Sequence, residues 1–203
     1  MNRYAHWQAV YESKAETEVS WFQEYPATSL ALIHAAGMDA NARIIDVGGG
    51  ASRLVDHLID QGCQSVTILD ITNAALEKTR LRLGCLANKV VWLVTDVTQW
   101  IPSERYDIWH DRAVFHFLTE PSDRIAYATA MSAAVRTGGY AIVGTFAPDG
   151  PERCSGLPVC RYNADGLIAE FTPHFRLIET KNEEHVTPGG KIQRFQFCRM
   201  LRV

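Results

Sequence analysis

Apolar positions along the chain change rhythm near residue 43. Before it they recur at helical spacing: Trp7, Val10 and Tyr11, then Leu30, Ile33 and His34 after Pro26. This predicts a helical segment over roughly the first 40 residues. From Arg43 short apolar runs alternate with helix-spaced stretches. Arg43–Val47 ends at Gly48-Gly49-Gly50, and Ser52 is placed to cap a helix with Leu54, Val55, Leu58 and Ile59 on its apolar face, closed by Gly62. Ser65–Leu69 is a second strand ending at Asp70, after which Thr72 or Asn73 caps a helix carrying Leu76, Thr79 and Leu83. Val90–Val94, closed by Asp96, and Tyr106–His110 are the third and fourth strands. A helix follows Pro121 with Ile125, Ala128, Ser132 and Val135 on one side, and Gly138-Gly139 turns into a fifth strand, Tyr140–Phe146.

Strands that are apolar almost throughout, alternating with helices, predict a parallel sheet covered on both faces. The last quarter differs. A helix near Asp165–Phe171 leads to Phe175–Thr180, and a turn at Pro188-Gly189-Gly190 precedes Gln193–Leu201, where Phe195 and Phe197 alternate with polar residues. That reads as an antiparallel hairpin. A parallel sheet closed in this way resembles the seven-stranded methyltransferase fold. The resemblance implies an α/β three-layer αβα sandwich with a mostly parallel seven-stranded sheet, expected to form one domain over residues 1–203: an N-terminal helical cap (1–40) and a Rossmann-like core (41–203).

Composition narrows the function. The 203 residues are 47% hydrophobic and 21% charged, so a core can form without a metal or disulfide staple. The net charge of −3 and the lack of a basic run argue against nucleic acid or an anionic membrane as partner. No apolar stretch of about 18 residues is present. Met1–Tyr11 lacks the apolar centre of a signal peptide, so the expected location is the cytoplasm. Five scattered cysteines without CxxC or HxxxH spacing predict neither a disulfide framework nor a metal site. Cys154 and Cys160 flank a Gly-Pro-containing loop. They read either as small buried hydrophobes or as a thiol pair for a soft substrate such as a metalloid.

The chemistry concentrates in Asp46-Val47-Gly48-Gly49-Gly50-Ala51-Ser52. Its glycines let main chain bend sharply and approach a ligand, and the following helix start offers free N–H groups. A dinucleotide fingerprint requires a third glycine where this chain has Arg53. Asp70 lies 24 residues after Asp46, where an acid can accept ribose hydroxyls, and Asp96-Val97 closes the third strand. Three acids at successive strand ends mark the crevice where such sheets bind ligands. The ordered set is similar to that of class I S-adenosylmethionine-dependent methyltransferases. The resemblance implies S-adenosylmethionine as cofactor, with S-adenosylhomocysteine as product. Gly48, Gly49 and Gly50 would cradle its methionine part, Asp46 would orient its amino group, Asp70 with Ile71 would hold the ribose, and Asp96 with Val97 the adenine.

Strand four runs into Trp109-His110-Asp111-Arg112-Ala113-Val114-Phe115-His116. The Asn/Asp-Pro-Pro-aromatic motif of nucleobase amino-methylases and the Pro-Cys of cytosine carbon methylases are both missing here. Asp111-Arg112 followed by small and apolar residues resembles the Asp-Arg-Gly-Ala-Leu stretch of the small thiopurine and chalcogen methyltransferases, with Ala113 in place of Gly and Phe115 in place of Leu. That resemblance spans about residues 5–146 and implies a lid, with Trp7 and Trp21 over the cofactor. His110, Asp111 and His116 are the candidate proton acceptors. His110 and Trp21 are also candidate cofactor contacts, and Arg112, Phe115 and His185 candidate substrate contacts. Each has a structural alternative as a packing or backbone-orienting residue. The expected reaction is in-line methyl transfer to a small-molecule thiol or other soft nucleophile by a monomer or homodimer. Protein lysine N-methylation is the alternative, weakened because Val114 stands where one lysine-methylating group has the Tyr of Asp-x-x-Tyr. A non-enzymatic partner subunit is a third.

Overall fold

The computed structural model describes residues 2–203. Five strands, β1 (Arg43–Val47), β2 (Ser65–Asp70), β3 (Val90–Val94), β4 (Tyr106–Arg112) and β5 (Val135–Phe146), pair in parallel in the order β3-β2-β1-β4-β5. Two short strands, β6 (Arg153–Cys154) and β7 (Leu157–Pro158), form a separate hairpin. Strands β8 (Phe175–Val186) and β9 (Ile192–Arg202) then complete the seven-stranded sheet, β9 inserting antiparallel between β5 and β8.

Period-two alternation divides the core into two layers. Ile44 in β1 and Ile108 in β4 point to the face covered by α2 (Ala27–Ala35), α3 (Leu54–Asp60) and α4 (Asn73–Leu83). Ile45, Val47 and Trp109 point to the face covered by α5 (Pro121–Ala134) and α6 (Ala164–Ala169). The first helix, α1 (Arg3–Ser13), lies outside these layers and carries Arg3, Trp7 and Tyr11 at i, i+4 and i+8 on one face. Asn2 caps it by accepting the Ala5 N–H. No helix among the described residues is long and apolar enough to cross a membrane.

Three elements depart from the sequence expectation. The buried stripe of α5 is Tyr127, Ala130, Met131 and Ala134, whereas Ile125 is 68% exposed. Two stripes on this helix have helical spacing, and the sheet takes the one whose tyrosine finds polar partners underneath. Strand β5 begins at Val135, not Tyr140, since Val135 pairs with Tyr106 before an irregularity in the register with β4. Strand β8 continues through the polar run Lys181–Glu184 because it lies at the sheet edge, where one side of the backbone and many side chains stay in water.

Candidate active site

The site is built around the turn that ends β1. The Gly48 N–H donates to the Leu69 carbonyl at 2.6 Å, bending the chain over the end of β2 with φ of +71°. A Cβ on Gly49 would strike the Asp46 carboxylate, and one on Gly50 would strike Ala75 and the Asp70 carboxylate. The glycines therefore let main chain pass directly against two acids. Asp46 is buried. Its Oδ1 lies 2.7 Å from His110 Nδ1, and Ser29 Oγ lies 2.9 Å from His110 Nε2. Asp46 Oδ2 is buried with no hydrogen-bond partner. An unpaired carboxylate oxygen in such a place is costly unless a ligand donates to it.

Two adjoining cavities open at this turn. The first encloses about 760 Å³ between its walls, open solvent included, and runs from Leu69, Asp70, Ile71, Asp96 and Val97 to Arg112, Phe117 and Cys154. Trp7, Tyr11 and Trp21 roof it, Trp7 meeting Trp21 and Phe117 edge-on at 5.7 and 4.9 Å. The second cavity is lined by Asp46, Gly48, Gly49, Arg53 and His110. Tyr11, Trp21, Val47, Gly48 and Arg112 line both, and so mark the junction.

Asp70 faces the first cavity while accepting the N–H groups of Gly50 at 3.2 Å and Thr72 at 3.0 Å. Burial raises its pKa to about 6 against the pull of those donors. Asp96 is held by the Thr98 N–H and hydroxyl on Oδ1, and by Arg3 of the roof helix at 3.0 Å on Oδ2. Each carboxylate oxygen has a second lone pair for a ligand. Arg3 also pairs with Asp123 at 2.8 Å, which ties the roof to α5.

The segment after β4 divides sharply. Arg112 reaches the junction, 10% exposed; its Nη1 donates to the Trp21 carbonyl at 3.0 Å and its Nη2 to Glu183 at 3.2 Å. The guanidinium lies 4.4 Å from the centre of the Phe195 ring, and its Nε is buried without a partner. Asp111 turns the other way. Its carboxylate accepts the N–H groups of Val114 and Phe115 at 2.8 and 3.0 Å and the Tyr127 hydroxyl at 2.6 Å. Burial raises its pKa to about 6. Phe115 packs with Tyr127 and Phe171 in the core. His116 is fully buried, accepts the Phe146 N–H on Nδ1 at 3.3 Å, and has its pKa lowered to about 3 by burial and then by Arg112.

These placements divide the residues singled out by sequence between cavity and core. Asp111 and His116 line neither cavity, and their polar atoms are occupied by the loop or enclosed by the core. His110 lines the second cavity with both ring nitrogens engaged, one by Asp46 and the other by Ser29. Phe115 and His185 also line neither cavity; His185 Nε2 donates to the Ser20 carbonyl at 2.7 Å and anchors the stretch of chain leading to Trp21. Cys154 lines the first cavity and Cys160 does not, so the two thiols form no joint site. Arg3, Tyr11, Ser29, Arg53, Phe117 and Glu183 were not singled out by sequence, because their part depends on contacts made across the fold.

Comparison with known proteins places this geometry. Residues 44–139 match the methyltransferase domain family. The stretch runs from β1 to the Gly139 turn and contains the glycine turn and all three acids. Nodulation protein S of Rhizobium tropici is 28% identical over 119 residues, which cover 59% of this chain and 48% of that protein, so the matched part spans about half of that relative. The EEF1A lysine methyltransferase 2 of Danio rerio is 22% identical over 200 residues, covering 91% of this chain and 80% of that protein. Among solved structures, one titled for conversion of a disulfide bond into a thioacetal group during echinomycin biosynthesis superposes with a TM-score of 0.78 at 21% identity, covering 97% of this chain and 90% of that one. The N-methyltransferase NodS of Bradyrhizobium japonicum in complex with S-adenosylhomocysteine gives a TM-score of 0.69 at 16% identity, covering 86% and 84%. The fold is the class I methyltransferase fold.

The residues of this site suit S-adenosylmethionine on their own chemistry. An ammonium group would satisfy the orphaned Asp46 Oδ2, a ribose diol would find Asp70, and a flat base would lie between Ile71 and Val97 beside Asp96. Arg53 lines the second cavity while pairing with Glu16 at 2.6 Å and standing 3.8 Å from Glu24.

Proposed function

We propose that the protein is an S-adenosylmethionine-dependent methyltransferase acting on a small molecule, with a thiol or other soft nucleophile as acceptor. The observation that carries this reading is the unpartnered, buried Asp46 Oδ2 against a side-chain-free turn at the second cavity, adjoining the cavity that Asp70 and Asp96 line. When bound, the cofactor supplies an activated methyl group. Asp46, held by His110, which is itself held by Ser29, positions the amino end. Asp70 and Asp96 fix the sugar and base. The aromatic roof of Trp7, Tyr11 and Trp21 excludes water, and alignment within such an enclosure can account for roughly 7–11 kcal/mol of barrier lowering.

Calorimetric titration with S-adenosylhomocysteine, followed by a labelled-methyl screen of small thiols, tests the reading. Binding together with transfer to a thiol supports it, and no binding would refute it. Asp70→Ala should weaken binding at least about tenfold through loss of the charged ribose acceptor. Lysine methylation is the second reading, favoured by the similarity to the Danio rerio enzyme over 91% of this chain and 80% of that one. Label appearing in protein extracts and not in small thiols would select it. The apolar roof over the first cavity supports the small-molecule reading, because a lysine on a folded protein needs an open groove.

A further inference from the structure

Resting on the methyltransferase reading, we propose that Glu183 and His185 of β8 are positioning residues for the reaction: through Ser20, Trp21 and Gln23 they fix the Trp21 indole where the two cavities meet. The stretch 19–25 that carries Trp21 belongs to neither helix nor strand. Within it the Phe22 N–H closes a turn on the Val19 carbonyl at 3.1 Å. A segment without a ladder of its own must satisfy its polar groups elsewhere. Here β4 and β8 supply the partners. His185 Nε2 donates to the Ser20 carbonyl at 2.7 Å, Arg112 Nη1 to the Trp21 carbonyl at 3.0 Å, and Gln23 Nε2 to the Glu183 carboxylate at 3.0 Å. The contacts bracket the indole from both sides along the chain.

The sheet makes this arrangement possible. Glu183 and His185 are two apart in one strand and so share a face. Strands β5 and β9 lie between β4 and β8, and the β5 residue paired with Arg112 is Gly144, which presents no side chain at that point. Arg112 Nη2 reaches Glu183 at 3.2 Å, so Glu183 joins the Trp21 and Gln23 contacts into one network. A carbonyl only accepts, so His185 carries its proton on Nε2. Burial and then Arg112 lower the His185 pKa, which keeps the ring neutral at pH 7. Trp21 lines both cavities, edge-on to Trp7 at 5.7 Å and to Tyr11 at 6.2 Å. Asp46 holds the cofactor's amino end on the second cavity, and Asp70 and Asp96 its nucleoside on the first, so the junction is the stretch between those ends. Displacing a wall of that stretch by about an ångström is the kind of misplacement that costs on the order of a hundredfold in rate. The hairpin thus acts on the site without lining it.

Fluorine NMR of protein labelled with 5-fluorotryptophan tests this, the Trp21 resonance being the one lost in Trp21→Phe. His185→Ala and Gln23→Ala each remove one contact, the second without exposing a lone buried charge, since Glu183 keeps Arg112. Both should shift or broaden the Trp21 resonance and leave those of Trp92, Trp100 and Trp109 in place. Both should also weaken S-adenosylhomocysteine binding roughly two- to tenfold, the range for one lost hydrogen bond. His185→Gln, whose amide nitrogen can donate to the same carbonyl, should restore the wild-type resonance and affinity. A Trp21 resonance unmoved in both alanine variants, or a glutamine variant as impaired as His185→Ala, would overturn the proposal. Should His185→Ala lose the dispersion of all its tryptophan resonances through unfolding, Gln23→Ala decides alone. Wild-type protein that binds no S-adenosylhomocysteine would refute the methyltransferase reading itself, while the fluorine spectra judge the β8 contacts independently.

Discussion

Tyr127→Phe removes one oxygen from a place where it serves two partners. The hydroxyl donates to Asp111 at 2.6 Å and accepts the Trp109 Nε1–H at 2.9 Å, and all three side chains are fully buried. Phenylalanine fits the same space, so the cost is in hydrogen bonds and not in packing. Stranding the Trp109 N–H costs about 1–3 kcal/mol, and losing a hydrogen bond to a charged carboxylate about 1.5–3 kcal/mol. A total near 3–5 kcal/mol lowers the melting temperature by roughly 10 °C in a chain of this size. The loss should also depend on pH. Burial raises the folded-state pKa of Asp111 to about 6, above its ordinary 3.8. Its contribution to folding is therefore largest below the unfolded value and declines as pH rises through 6. The Tyr127 hydroxyl opposes that rise by binding the ionised form. Without it the pKa climbs further, so the variant's deficit should be larger at pH 8 than at pH 5. Urea unfolding at both values measures this. A deficit below about 1 kcal/mol, or one larger at pH 5, would refute the argument from the buried network. Unchanged stability with abolished turnover would return Asp111 to a chemical role.

Three further outcomes are expected. Gly49→Ala puts a methyl group onto the Asp46 carboxylate and should weaken S-adenosylhomocysteine binding at least about tenfold, with roughly 1–3 kcal/mol of overpacking cost; calorimetry showing wild-type affinity would remove the turn from the cofactor site. Asp70, with its pKa raised to about 6, should protonate as pH falls from 7 to 5, so cofactor affinity should fall over that interval and Asp70→Asn should bind weakly with a flat profile. Ala113 has φ of +76°, so Ala113→Gly should be neutral or stabilising by up to about 1 kcal/mol, while Ala113→Val should cost about 2 kcal/mol or more; equal losses in thermal melts would count against backbone strain there.

What could be read from sequence was whatever depends on local order. Strands β1 to β3 fall at the expected positions, within one residue at each end, since each is a short apolar run closed by an acid or a glycine, and neither signal needs a distant partner. The placement of the strand-end acids was legible for the same reason: a parallel sheet sets the ends of consecutive strands side by side, so Asp70 and Asp96 fall on the first cavity and Asp46 on the adjoining one once strand order is known. The segment after β4 was not legible, and the failure has a physical source. Between Asp111 and Arg112 the side chain changes sides of the strand, so neighbours of equal chemical promise face opposite layers. One finds Tyr127 of α5 in the core, and the other finds Glu183 and Phe195 of the hairpin at the cavity. The residues that decide which is which lie 16, 71 and 83 positions further along the chain, and helix α5 offered two stripes to choose from. Had the stripe through Tyr127 been recognised as the buried one, its hydroxyl would have required a buried acceptor, and Asp111 is the acid that β4 delivers to that layer. Which side of β4 belongs to the site is thus read from which buried polar atoms find partners, and on this chain that reasoning separates Asp111, whose carboxylate is satisfied in the core, from Arg112, which lines both cavities.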